Sequence, residues 1–393
     1  MNAKMHLMIK KIVRLALSPL KIFPVKSNRV LLLNNLSCKY AGNPKTVTEY
    51  LLKHYSGKFE IIYAVNQPEK YSELRQRGVK VIKFNSFAYL FYLVTCRVFL
   101  SNSGGYSYVP LRMHKQFVIN THHGGGALKK MGLDMYEDTE IFREDLKLSA
   151  DSTSVMLSTS KRMSEAFSVS CLFSKEIMWE IGMPRNDSLI NYDANSRESI
   201  RKQLGIKKDE KIVLFAPTYR KLADNYFNDS VAISYGINSQ RTCDALGKRF
   251  GGKWRFAIRY HPCVVNHGQF DLHGMIDLTD YEDMQDLLLA ADVLINDFSS
   301  TMWDFMLTGK PCFVFAVDFY HYLETTGSYV PPSEWPYPIA TSNDDLVQSI
   351  LDFDEAKYRE KCKKYYEALG GCETGEATRL VAEKIYQACY GEL

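Results

Sequence analysis

Short runs of β-branched and aromatic residues alternate with segments of helical spacing along nearly the whole chain, and that alternation admits few architectures. A strand, a helix and a further strand close most simply as a right-handed crossover between parallel neighbours, so the pattern predicts α/β layers around largely parallel sheets. In the first half the runs fall at 29–34, 60–65, 79–84, 98–101, 117–120 and 155–158, with helices expected at 46–54, 71–77 and 86–95. Turn residues and lost periodicity interrupt the pattern over 182–191, and a capped helix at 196–204 restarts it. Strands follow near 211–216, 255–260, 276–278, 293–295 and 312–316, and helical spacing marks 354–369 and 374–390. A chain of 393 residues with 46% hydrophobic content can bury about two cores. The expected organisation is a basic segment at 1–28, a Rossmann-like domain at 29–190 and a second at 191–393 that carries the C-terminal helices. The last helix is free to pack back on the first domain, and the two domains are expected to face a cleft lined by the carboxyl ends of their strands.

The formal charge of +4 is unevenly spread. Residues 1–48 hold nine of the 49 Lys and Arg and none of the 45 acids, which leaves 40 − 45 = −5 for the remainder. Within that start Ile9, Ile12, Val13, Ala16 and Leu20 share one helical stripe, Lys10, Lys11, Arg14 and Lys21 carry charge, and Pro19 limits the helix. Such a segment suits an anionic membrane surface, whereas a signal peptide would need an apolar run unbroken by Lys and Arg. No stretch reaches the roughly 20 uninterrupted apolar residues of a membrane span. The nearest, 87–96, ends at Arg97 and reads as a buried helix whose Phe87, Tyr89, Phe91 and Tyr92 also suit a membrane interface. Nine scattered cysteines, without a CxxC pair or zinc-like spacing, point to reduced thiols and no metal site. With the basic excess confined to the start, the chain has no stripe for nucleic acid.

The stretch LLLAADVLINDFSSTMWDF from Leu287 reads as strand, tight turn and helix. Asn296, Asp297, Ser299 and Ser300 fall at the turn, and Ser299 or Ser300 is expected to cap a helix over 301–307. Free N–H groups at such a start favour a phosphate. Another strand, 117–120, runs into THHGGGALKKMG from Thr121. Three glycines there let backbone approach a ligand, one of the two histidines can serve as a general base, and Lys129 and Lys130 follow. Groups suited to an anion end three further strands: Pro217, Thr218 and Arg220 in APTYR, Arg259 and His261 in RYHP, Arg185 and Asn186 in GMPRND. Their common place at strand carboxyl ends is what links them.

With these five motifs in this order, the chain resembles the CDP-glycerol glycerophosphotransferase family, the teichoic acid primases and polymerases, over about 30–390. The resemblance implies a GT-B-like pair of Rossmann domains, with the acceptor side in the first and nucleotide donor contacts mainly in the second. It implies His123 as catalytic base and His261 as a second catalytic group. Donor contacts carried over are Gly124, Gly125, Gly126, Arg185, Pro217, Thr218, Arg220, Arg259, Ser299, Ser300 and Asp304, with acceptor or phosphate contacts from His122, Lys129, Asn186 and Asp297. The chain departs from the family pattern at His122, where Trp is usual, at Asn296 and Phe298, where Thr and Tyr are commoner, and at Trp303, where Phe is usual. Its HGGGALK is also one residue longer than the frequent HGTP-LK form.

On this reading the donor is CDP-glycerol or another CDP-polyol, and the acceptor is a polyprenyl-diphosphate-linked saccharide or a polyol-phosphate chain. His123 takes the proton of an acceptor hydroxyl, a phosphodiester forms and CMP leaves. The resemblance requires no cofactor and no metal, and implies a peripheral place on the cytoplasmic face of a bacterial membrane. The alternative is a GT-B glycosyltransferase that uses a nucleotide sugar.

Overall fold

The apolar runs become the central strands of two parallel sheets in the computed structural model, which describes residues 3–126, 128–218, 235–261, 272 and 274–391. The first sheet holds β1 (Lys26–Leu33), β2 (Glu60–Val65), β3 (Lys80–Lys83), β4 (Cys96–Ser101), β5 (Phe117–Asn120), β6 (Val155–Ser158) and β7 (Met178–Glu180), in the order β3-β2-β1-β4-β5-β6-β7. The second holds β8 (Glu210–Phe215), β9 (Lys253–Ile258), β10 (Ile276–Asp277), β11 (Val293–Asn296), β12 (Cys312–Phe315) and β13 (Ile339–Ala340), in the order β10-β9-β8-β11-β12-β13. Every pairing between these strands is parallel, and the central strands are buried on both faces, as Val30 to Leu33 and Val213 to Phe215 illustrate. Both orders are doubly wound. Each reverses beside its first strand, between β1 and β4 and between β8 and β11, where the loops leaving the carboxyl ends part and open a crevice for ligands.

The edge strands β7 and β13 carry no signal that periodicity could pick up, being only three and two residues long. The helix expected at 46–54 begins earlier, at Gly42, with Pro44 in its first turn, a position where a missing N–H costs nothing.

Two compact units emerge: Met1–Gly125 with Met131–Asp187 and Gly371–Leu393, and Gly126–Lys130 with Ser188–Gly370. A single division at 190/191 therefore needs two amendments. The C-terminal helix Ala377–Tyr390 belongs with the first unit, because Asp187 accepts the free N–H groups of Ala377 at 3.2 Å and Thr378 at 2.7 Å, and Arg97 donates to Ala388 O at 2.6 Å. The short segment Gly126–Lys130 belongs with the second unit, where Leu128 O accepts from Tyr329 N at 3.1 Å and Ser328 Oγ at 2.8 Å.

The N-terminal helix Ala3–Leu17 inverts the usual arrangement of an amphipathic helix. Its basic residues dock. Lys10 is buried with Nζ 2.5 Å from Asp145, Arg14 Nη1 donates to Ser107 O at 2.6 Å and Val109 O at 3.1 Å, and Lys11 pairs with Glu144 at 2.5 Å. Apolar residues are left outside: Met5, Met8, Ile9, Ile12 and Leu15, the last 75% exposed, continue past a 3-10 turn into Ile22 at 79%. Phe23 then meets Phe91 edge-on at 5.5 Å. The helix Phe87–Thr95 is thus not wholly buried, for Tyr89 faces inward while Phe87 is 92% exposed. No helix among the described residues is long and apolar enough to cross a membrane.

Candidate active site

In the first unit three asparagines stand where strands beside the switch point end: Asn34 after β1, Asn102 one residue past β4, and Asn120 at the end of β5. Asn102 Nδ2 donates to Asn34 Oδ1 at 2.8 Å, and Asn35 N donates to Asn102 Oδ1 at 2.8 Å, so the Asn102 backbone is fixed. Its carbonyl lies 3.3 Å from His123 Nδ1. A carbonyl only accepts, so Nδ1 carries a proton, and Nε2 is then the basic nitrogen of the neutral ring. His123 is exposed, whereas its neighbour His122 is half-buried and stacked on it with ring centroids 4.3 Å apart. Burial, His123 and Arg185 together push the His122 imidazole well below its ordinary 6.5, against a smaller opposing contribution from the Gly124 backbone.

Arg185 is buried, and its N–H donates to Asn43 Oδ1 at 3.0 Å. Asn43 Nδ2 in turn reaches Thr121 Oγ1 at 3.0 Å and His122 O at 3.3 Å, so one buried amide joins the histidine loop to the turn Pro184–Asn186. Asn186 has its own partner in the same unit. It is fully buried and donates to Glu373 Oε1 at 2.7 Å, while Glu373 Oε2 accepts from Met183 N at 2.9 Å. That pair anchors the C-terminal segment to the turn Pro184–Asn186.

In the second unit Pro217 is buried just past β8, and Thr218 crosses the switch point to β11. Its N–H lies 2.9 Å and 3.0 Å from the two oxygens of Asp297, and its hydroxyl donates to Oδ1 at 2.7 Å. Asp297 is therefore a clamp between strand ends. Arg259 follows β9, with Nη2 3.4 Å from Glu282 O and Nη1 buried without a hydrogen-bond partner among the described residues. Burial lowers its pKa, with Asp283, Asp286 and Tyr281 acting the other way, and a guanidinium remains charged in either case. His261 is also pushed below its ordinary value by burial, then by Lys129 and Arg259, and Asp297 opposes them. These four groups therefore surround one locality at the ends of β8, β9 and β11, joined by the segment that carries Lys129.

The serine turn differs from its expected form. Ser300 occupies the N-cap position but its side chain caps nothing, and the helix Thr301–Met306 is only six residues long. Order comes instead from Asn296 Nδ2, which donates to Ser299 O at 3.1 Å and Thr301 Oγ1 at 2.6 Å. Asp304 is buried and accepts from Gln285 Nε2 at 2.9 Å, so this oxygen braces the turn from within. Gly126, with φ +72, is required by packing: a Cβ there would stand 2.5 Å from Trp303 Cε3. The left-handed backbone and the overlap together would cost about 2–4 kcal/mol for any other residue. Arg220 lies outside the described residues. Among those residues no group of three or more His, Cys, Asp or Glu is arranged to hold a metal ion.

Asn43, Asn102 and Glu373 escaped the sequence reading. A polar residue closing an apolar run, as in LLLNN and FLSNS, is a signal that could have found Asn34 and Asn102; Asn43 and Glu373 act through partners far along the chain and leave none.

Two doubly wound parallel sheets, each with polar and charged side chains gathered beside its switch point, define the class of doubly wound α/β proteins. Within that class, residues 16–387 match the sequence profile of the CDP-Glycerol:Poly(glycerophosphate) glycerophosphotransferase family, and the chain belongs to it. It is 28% identical over 368 residues to the teichoic acid poly(glycerol phosphate) polymerase of Staphylococcus epidermidis, covering 88% of this chain and 49% of that protein. With the teichoic acid glycerol-phosphate transferase of Staphylococcus aureus it shares 26% identity over 367 residues, 89% of this chain and 90% of that one. The chain thus spans about half the length of the first relative and nine-tenths of the second. Among solved structures, the wall teichoic acid polymerase TagF superposes with a TM-score of 0.79 at 26% identity, covering 97% of this chain and 93% of that one. A TagF variant soaked with CDPG matches with the same TM-score at 25% identity, covering 93% of this chain and 89% of that one.

Proposed function

We propose that the protein transfers glycerol phosphate from CDP-glycerol, or a related polyol phosphate from its CDP-polyol, to a hydroxyl of a teichoic acid-type acceptor. The observation that carries this reading is Arg259. A guanidinium nitrogen buried without a partner among the described residues, next to His261 and Lys129 at a switch point, is prepared for an anion that the protein does not itself supply. A diphosphate satisfies it, with Ser299, Ser300 and the Thr218–Asp297 clamp at the neighbouring strand ends. Family membership and the likeness to TagF, whose variant was soaked with CDPG, supply the rest of the donor.

The chemistry balances as a phosphoryl-group displacement. The acceptor oxygen forms a bond to the phosphorus that bears the polyol as the bond from that phosphorus to the CMP oxygen breaks. His123 Nε2 receives the acceptor proton, and CMP departs with the electron pair. Arg259 and Lys129 stabilise the charge on the leaving phosphate, and a neutral His261 donates a hydrogen bond to it. Positioning and charge supply most of the rate enhancement, in a GT-B-like architecture with the acceptor side in the first unit and the donor side in the second. Acceptor-dependent release of CMP from CDP-glycerol, with a new phosphodiester signal in the ³¹P spectrum, is the expected result; CMP release that ignores the acceptor would contradict transfer.

The acceptor is attached to a lipid on this reading, and the protein is peripheral to the cytoplasmic face of the membrane. Support comes from the apolar residues that the N-terminal helix leaves outside, edged by exposed Lys4, Lys11 and Lys21. Replacing Ile12, Leu15 and Ile22 together by serine removes exposed side chains only, so the fold is kept. Partition onto phosphatidylglycerol vesicles should fall by about tenfold or more while reaction with a short soluble acceptor is unchanged. Equal vesicle binding by variant and parent would sink the membrane role.

A further inference from the structure

Adjacent side chains on an extended strand point to opposite faces, yet the rings of His122 and His123 stack at 4.3 Å with their planes 28° apart. The cause is the backbone of His122, whose φ of +53 lies in the left-handed region. That region costs a residue with a Cβ about 1 kcal/mol or more and persists only where the surroundings impose it. Three anchors do so here. The His122 N–H donates to Asn120 Oδ1 at 3.0 Å, its carbonyl accepts from Asn43 Nδ2 at 3.3 Å, and Gly124 N donates to the ring Nδ1 at 3.0 Å. On its other side the ring meets Phe167 edge-on at 4.9 Å. A side chain that served only as filling would not need a strained backbone tied down by two buried amides.

We propose that His122 is a positioning residue, a neutral aromatic platform that fixes the plane and tautomer of His123. The inference rests on the reading of His123 as the base. Stacking leaves His123 one choice of ring plane, and in that plane Nδ1 meets the Asn102 carbonyl, so Nε2 presents the lone pair. A platform of this kind must stay uncharged, because His123 becomes an imidazolium as it takes the acceptor proton, and a second cation stacked on it would oppose that transfer. The groups facing His122 enforce neutrality: burial, His123 and Arg185 all disfavour its proton. A neutral ring face also attracts the imidazolium when it forms.

Two substitutions in the full chain separate the ring from its hydrogen bond. His122→Asn keeps an acceptor near the position of Nδ1 and tolerates the left-handed backbone, but has no ring. His122→Phe keeps the ring and loses the acceptor. The platform predicts that His122→Asn lowers kcat by about tenfold or more with KM for CDP-glycerol unchanged, while His122→Phe, matched to the parent in urea unfolding, stays within about threefold. In ¹⁵N spectra of the imidazoles, His123 should be a single Nδ1–H tautomer in the parent and in His122→Phe, and a mixture in His122→Asn. Full turnover in His122→Asn overturns the proposal, as does a folded His122→Phe that is as slow as His122→Asn. The His123→Ala variant, run alongside, separates the two readings. If it retains turnover, the base assignment itself fails; if it is inactive while His122→Asn is fully active, only the platform fails.

Discussion

Replacing His123 by alanine should lower turnover by about 10²-fold or more while leaving the affinity for CDP-glycerol nearly intact. The direction follows from where the ring is held. His123 is exposed at the end of β5, with Nδ1 against the Asn102 carbonyl, in the first unit, whereas Arg259, His261 and Lys129 belong to the second. Loss of the imidazole thus removes the proton acceptor and leaves the proposed donor contacts in place. Single-turnover rates and donor titration, measured on the same preparation, separate the two effects. A variant that turns over at the parental rate would remove His123 from the chemistry, and one that loses donor affinity in proportion to rate would make it a binding residue.

Arg259→Ala should act on the other side of the ledger, raising KM for CDP-glycerol by about 10- to 100-fold, as expected for a charge-assisted hydrogen bond of about 1.5–3 kcal/mol. Burial makes the effect large. Nη1 has no hydrogen-bond partner among the described residues and Nη2 only a 3.4 Å contact to Glu282 O, so few protein interactions are lost with the side chain. Arg259→Lys keeps the charge but loses the planar fork and should fall between the two. Isothermal titration with CDP-glycerol reads the result directly, and thermal unfolding of each variant reports whether Asp283 and Asp286 tolerate the loss of their cation. Parental affinity in Arg259→Ala would show that the orphaned nitrogen serves no anion.

Much of this arrangement could be read from local pattern. The apolar runs marked eleven of the thirteen described strands to within three residues at either end, because a strand buried on both faces must be apolar throughout. The motifs at 121, 215, 259 and 296 stood out because polar residues at the end of an apolar run are costly unless they face a ligand or one another. What the sequence hid depends on partners distant along the chain. Asn43 meets Arg185 across 142 positions and Glu373 meets Met183 across 190, and neither pairing leaves a local trace. The same pairings hold Asn186, whose side chain donates to Glu373. Helical spacing gave the correct turn, with Ser300 at the N-cap position, but not the side chains that order it: Asn296 donates to Ser299 O and Thr301 Oγ1, and Gln285 donates to Asp304. The N-terminal helix is the clearest case. Its stripe and its charges were both visible, yet which face docks was decided by Asp145, Glu144 and the carbonyls of Ser107 and Val109, all far from it in sequence.

Transfer of a polyol phosphate is most directly tested by offering the purified protein CDP-glycerol, CDP-ribitol and a set of nucleotide sugars on one lipid-like acceptor and weighing the products. The account predicts CMP together with an acceptor heavier by one or more polyol phosphate units, from a CDP-polyol alone. A nucleoside diphosphate released together with a glycoside would contradict it.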